Sequence, residues 1–138
     1  MLVFLDTNIL LDVLLDRASF VEESEAVIVR CEEAGAGMFI SWHGLATVYY
    51  LIKRGRTEAQ ALSEVDKILA WARVTACADG EARRARTLEF RDFEDALQAI
   101  SAEACAADLI VTRNVPDFSK SPVPAVTPKE FLRLVPKP

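Results

Sequence analysis

The sequence predicts an α/β fold, a three-layer α/β/α sandwich around a central parallel sheet of about four to five strands. Two observations predict it. Short, continuous apolar runs alternate with longer segments whose apolar residues recur every three or four positions, the pattern of buried parallel strands joined by crossover helices. Acidic and amide residues also stand directly behind the first and fourth of those runs, where open α/β sheets build their sites.

The elements follow in order. "LVFL" (residues 2–5) reads as a strand buried on both faces, and Ile9, Leu10, Val13 and Leu14 then recur at helical spacing. "SFVEESEAVIVRCEEAG" gives a longer helix, with Ser19 as its candidate cap and Gly35 just past its end. "GMFIS" (37–41) is the second strand. "HGLATVYYLIKRG" is a helix with Leu45, Val48, Tyr49 and Ile52 on one face, stopping at Gly55. A further helix starts near Thr57, with Glu58 in its first turn, and runs through Leu62, Val65, Ile68 and Leu69 to about Trp71. "RVTAC" is the third strand, and "ADGEARRARTLEF" a helix capped by Asp79. "RDFEDALQAISAEACAA" is a helix whose buried stripe is Phe93, Leu97, Ile100 and Ala104. "DLIVT" (108–112) is the fourth strand. "VPAVTP" adds a short strand that Pro124 and Pro128 assign to a sheet edge, and "PKEFLRL" closes the chain as a helical turn or two. No repeat, low-complexity tract or linker breaks this pattern, so a single domain over residues 1–138 is expected.

A length of 138 residues supports one substantial core, and 51% hydrophobic with 27% charged residues carries no disorder signature. No apolar run reaches bilayer-spanning length, which argues against a membrane protein. The net charge of −5 argues against a general polyanion binder, because phosphate contacts draw on Lys and Arg. It leaves room for a locally basic or metal-bridged nucleic-acid site and for a basic protein partner. Cys31, Cys77 and Cys105 are odd in number and far apart, which reads as reduced packing residues. Met1 leads straight into a strand rather than into a signal region, so a cytoplasmic location is expected.

Asp6 and Asn8 follow the first strand; Thr112, Asn114 and Asp117 follow the fourth; Asp92 and Asp95 fall in the first turn of the helix that leads into the fourth. These groups converge if the first and fourth strands are neighbours. Converging carboxylates repel one another and take up protons unless a cation joins them. Mg2+ or Mn2+ suits such a site: it takes oxygen ligands, lowers the pKa of a bound water and stabilises charge on a phosphoryl group in flight. Asp6 and Asp95 are the leading candidates for catalytic, metal-binding acids, with Asp117 third. Asn8, Thr112 and Asn114 are neutral supports, and Arg113 is the candidate RNA phosphate contact. Local readings stand beside these. Asp6 could equally be a helix cap, Asp92 and Asp95 charges favoured at a helix N-terminus, and "NVPDF" a turn. His43, the one histidine, reads as a packing or capping residue. The clusters Arg83, Arg84, Arg86, Arg91 and Lys53, Arg54, Arg56 read as solvated helix faces. Trp42, Tyr49, Tyr50 and Trp71 read as core or dimer interface.

"FLDTNILLDVL" and "DFEDALQAISAEACAADLIVTRNVPDF", with the chain's size, resemble the PIN domain family, particularly its small bacterial VapC-toxin-like members, over nearly the whole chain. The resemblance implies a nuclease that cuts single-stranded RNA with Mg2+ or Mn2+ held by a cluster of acids. It further implies a homodimeric toxin inhibited by a partner antitoxin. By position, Asp6 is the first family acid and Asp95 the acid of the "DA" helix, while Asn8 and Thr112 match the opening motif and the "TR" motif. Two of the usual four acids are substituted. Thr47 stands where the helix after the second strand usually has Glu, and Asn114 where Asp is frequent, with Asp117 in the place of a nearby second acid. The alternative is therefore a degenerate PIN domain that binds RNA or protein without cutting. A phosphoryl-transfer hydrolase of the haloacid dehalogenase type is disfavoured, because its second Asp would fall on Asn8.

Overall fold

Successive side chains of a strand point to opposite faces, and the first strand, β1 (Leu2–Leu5), uses both: Val3 and Leu5 enter one core and Phe4 another. A computed structural model describes residues 1–138. Around β1 lie β2 (Gly37–Ile40), β3 (Arg73–Val74), β4 (Leu109–Val111) and β5 (Ala125–Val126), all parallel, in the order β3-β2-β1-β4-β5.

One face carries α1 (Thr7–Leu14), α2 (Val21–Glu33), α3 (Trp42–Lys53), α4 (Glu58–Trp71) and α7 (Pro128–Leu134). Their apolar stripes supply Ile9, Val27, Val48, Ile68 and Phe131 to the larger core. The other face carries α6 (Phe93–Ala104), whose Ala99 and Ala102 meet Phe4, Ile110 and Phe118, while α5 (Asp79–Thr87) packs on α6 through Ala85, Ala96 and Ile100. The three expected layers are all present. From β1 the chain steps outward to β2 and β3, then crosses back to β4 and β5 on the other side. The strand order therefore reverses between β1 and β4, whose register pairs Leu5 with Val111.

Several local expectations need correction. The third strand stops at Val74 rather than Cys77, because its partner β2 ends at Ile40 and only the Thr75 N–H still finds the Ile40 carbonyl, at 2.9 Å. Ser41 leaves the second strand to cap α3, its hydroxyl accepting the Gly44 N–H at 2.9 Å. Ser19 does not cap α2; Phe20 holds the cap position without a side-chain bond. Asp79 lies inside α5 and pairs with Arg83 at 2.7 Å, while the Glu81 carboxylate accepts the Ala78 N–H at 2.8 Å. The stripe of α6 is out of phase: Phe93 and Ala104 are exposed, and Ala96, Gln98, Ala99, Ile100, Ser101 and Ala102 are buried. A helix pressed between a sheet and another helix buries more than one face, so a single-stripe reading misplaces its centre. Leu62 and Leu69 stay about half exposed on α4. Trp42 and Tyr50, at 75% and 69% exposure, are surface residues rather than core. All three cysteines are free, with Cys31 buried and Cys77 exposed. The edge assignment holds for β5. No helix is long and apolar enough to cross a membrane.

Candidate functional site

Asp6 occupies the hinge between β1 and α1. Its backbone has the extended conformation of a helix cap (φ −65°, ψ 151°), yet its side chain makes no capping bond. The carboxylate instead turns across the sheet: Oδ2 accepts the Thr112 hydroxyl at 2.7 Å and the Asn8 amide Nδ2 at 3.0 Å. Asp6 therefore holds the cap position of α1 by its backbone, while its carboxylate serves the strand ends instead. The reversal between β1 and β4 explains the contact. Thr112 is fully buried at the end of β4, and the Asp6 N–H donates to the Val111 carbonyl at 3.0 Å, so the two strand ends are stitched together. Asn8 and Thr112 extend the lattice to the next residues, with the Arg113 N–H donating to Asn8 Oδ1 at 3.4 Å and the Asn114 N–H to Thr112 Oγ1 at 3.1 Å.

Opposite stands the N-terminus of α6. Burial pushes the Asp6 carboxyl from its ordinary 3.8 up to about 6, the Thr112 hydroxyl pulling it back and the Glu94 charge pushing it further. Asp95 is pushed up to about 7, by burial first and then by the charges of Asp6, Glu94 and Asp92. The Asp6 charge thus bears on Asp95, and both carboxyls keep a proton longer than an isolated one. Asp92 also acts locally, as the α6 cap that accepts the Glu94 N–H at 2.8 Å.

Other expected members stand apart. Asp117 and the Asn114 side chain are exposed around the short 3-10 helix Val115–Phe118. The Thr47 hydroxyl donates to the His43 carbonyl of its own helix at 3.1 Å. No three or more His, Cys, Asp and Glu side chains come close enough to hold a metal ion between them. Arg113 is held rather than free: its Nε donates to Asp12 Oδ2 at 2.8 Å, and its guanidinium lies 4.0 Å from the centre of the Phe20 ring.

Three participants escaped the sequence reading. Burial alone would raise the Glu94 carboxyl, but His43 at 3.4 Å and the Gln98 amide at 3.0 Å together hold it below its ordinary value. Gln98 is fully buried and its Nε2 also reaches the Thr7 hydroxyl, tying α6 to the start of α1. Glu94 and Gln98 lie one helical turn apart, a visible signal had the phase of α6 been read correctly. Asp12, the third, is fully buried and also accepts the Ser24 hydroxyl at 3.0 Å. A lone acid in the apolar run "NILLDVLL" was its signal.

The PIN domain family model matches residues 2–116. Among solved structures, a chain of VapBC2 from Rickettsia felis, bound to a DNA fragment from their promoter, is 23% identical with a TM-score of 0.68, covering 92% of this chain and 98% of that one. A chain of VapBC-1 from nontypeable Haemophilus influenzae is 17% identical with a TM-score of 0.68, covering 94% and 99%. A chain of FitAcB from Neisseria gonorrhoeae is 14% identical with a TM-score of 0.64, covering 92% and 98%. At such identities these likenesses bear on the fold alone. No curated protein matches the chain.

Proposed function

The chain belongs to the PIN domain family, and from that premise we propose that it is a metal-dependent endonuclease of single-stranded RNA and the toxin component of a toxin–antitoxin pair. One observation carries the reading: Asp6, buried where the strand order reverses, is bonded to Thr112 and Asn8, and its charge bears on the Asp95 carboxyl at the start of α6. A buried acid whose carboxylate caps no helix and acts on a second acid is costly in structure and useful in chemistry.

The carboxylates fit a hard divalent cation: Mg2+ or Mn2+ takes oxygen ligands, needs only one or two carboxylates directly and keeps several waters. Asp6 and Asp95 would hold the ion, while Asp117, expected as the third acid, stands exposed on the 3-10 helix and forms no three-acid cluster with them. A divalent ion there supplies an activated water and stabilises charge on the phosphate. Thr112 and Asn8 fix the orientation of the Asp6 carboxylate. Asp92 supports the α6 rim as the cap of that helix, the Asn114 N–H supports the β4 rim through its bond to Thr112, and Thr47 leaves the α3 side without an acid. Arg113 offers its guanidinium to substrate phosphate.

The solved relatives are VapBC and FitAB assemblies, which supports an antitoxin as partner. An apolar groove of about 340 Å3 between α3 and α4, lined by Trp42, Leu45, Ala46, Tyr49, Leu62 and Val65, offers surface for that partner or for a second copy in a homodimer. The proposed setting is the cytoplasm. The test is cleavage of single-stranded RNA with Mn2+ or Mg2+ by the wild type and by Asp6→Asn. Loss of cleavage in the variant is expected, and equal activity sinks the nuclease.

A second reading, a non-cleaving binding module, draws on Thr47 and Asn114, neither of which brings an acid to the site. Calorimetric titration with Mn2+ separates the two: binding at micromolar to low millimolar concentration supports the nuclease.

A further inference from the structure

Asp12 lies one turn beyond Asn8 on α1, fully buried, and two arginines share it. Arg113 Nε donates to Oδ2 at 2.8 Å, and Arg17 Nη1 stands 3.6 Å from Oδ1. Two guanidiniums against one carboxylate leave an excess positive charge on a protein whose net charge is −5. The excess is placed beside the site: Arg113 follows Thr112, which bonds Asp6, and the Arg113 N–H donates to Asn8, which bonds Asp6 as well. The Arg113 guanidinium carbon lies 4.0 Å from the Phe20 ring centre, and Phe20 stays 41% exposed. Only Nε of Arg113 bonds to protein, so both of its terminal amino groups are unspent.

A planar cation within cation–π range of an exposed ring, beside a second cation, matches what an unpaired nucleotide requires. Bases of single strands stack on aromatic rings and arginine planes, and the flanking phosphates take the guanidinium donors. We infer that Arg17, Phe20 and Arg113 form a subsite for one nucleotide of single-stranded RNA next to the Asp6 centre, with buried Asp12 as the positioning residue that fixes Arg113. The inference rests on the nuclease reading and adds to it where the strand leaves the reacting phosphate.

The test is fluorescence anisotropy with a labelled single-stranded RNA in the presence of chelator, where metal-dependent hydrolysis cannot proceed, run beside cleavage of the same RNA with Mn2+. Phe20→Ala is expected to weaken binding about tenfold, the loss of one stacked base, while Phe20→Trp retains it. Arg17→Gln is expected to weaken binding and to lower the slope of log affinity against log salt by about one. If Phe20→Ala fails to melt like the wild type, Phe20→Leu keeps the apolar contact without the ring and is expected to show the same loss. Wild-type binding that both substitutions leave unchanged overturns the subsite. When that wild type still cleaves, the nuclease survives the overturn. Weakened variants of a protein that binds but never cleaves support the subsite and remove the nuclease. A wild type that neither binds nor cleaves overturns both.

Discussion

The Asp6 carboxylate and the Thr112 hydroxyl stand 106 residues apart in the chain and 2.7 Å apart in space. This bond counters the burial that pushes the Asp6 carboxyl up to about 6. Thr112→Val removes it, so the acid limb of the cleavage profile should move to higher pH. A hydrogen bond to a charged group is worth about 1.5–3 kcal/mol, which corresponds to a displacement of about one pH unit or more. The check is kcat/KM against pH for both proteins, and an unmoved limb removes Asp6 from the rate-determining ionisation.

Stability should carry the same signature with a defined sign. Asp6 and Asp95 hold protons to about pH 6 and 7 when folded, against an ordinary 3.8. In that interval the folded state binds more protons than the unfolded one, so stability falls as pH rises. Chelator-treated protein should melt several degrees higher at pH 5 than at pH 8. Asp6→Asn should flatten this dependence, and added Mn2+ should reverse it by stabilising the ionised pair.

Gly44 is required by crowding. A Cβ there would lie 2.6 Å from the Ser41 hydroxyl and 2.8 Å from the Thr7 hydroxyl, both on buried side chains. Gly44→Ala should cost about 1–3 kcal/mol, the range of overpacked cores, read as a lowered denaturation midpoint. Retained stability would mean that α3 can slide away from α1.

The absent α3 acid can be supplied. Thr47 lies one turn beyond His43, whose Nε2 approaches Glu94 at 3.4 Å. Thr47→Glu should tighten Mn2+ binding about tenfold or more, the worth of one charge-assisted contact. Calorimetry reads this directly, and unchanged affinity would place position 47 out of reach of the ion.

Arg113 is a structural partner as well as a candidate phosphate contact. Arg113→Ala leaves the fully buried Asp12 without its 2.8 Å bond and should destabilise the fold by about 1.5–3 kcal/mol. Asp12→Asn combined with Arg113→Gln should be milder than the sum of the single changes, a coupling that a double-mutant cycle measures.

The strand order could be anticipated because apolar runs and crossover helices leave few alternatives, and Asp6, Asn8 and Thr112 met as their positions behind β1 and β4 implied. What escaped lay where tertiary packing overrides local pattern. Gln98 looks like a surface residue until its amide is seen to reach Thr7 at the start of α1, and Asp12 looks like a break in an apolar stripe until Arg113 arrives from the far end of the chain. Caps were misplaced for a related reason: Ser19 and Asp79 had the favoured chemistry, but Phe20 and Ala78 took the cap positions.

Because Asp6 acquires its hydroxyl partner only from the last quarter of the chain, a ribosome that has released β1 through α6 holds a polypeptide with an unassembled centre. Until β4 pairs with β1, such a nascent chain carries an Asp6 carboxylate with no hydroxyl to orient it, so the order of synthesis leaves the centre among the last parts of the sheet to take shape.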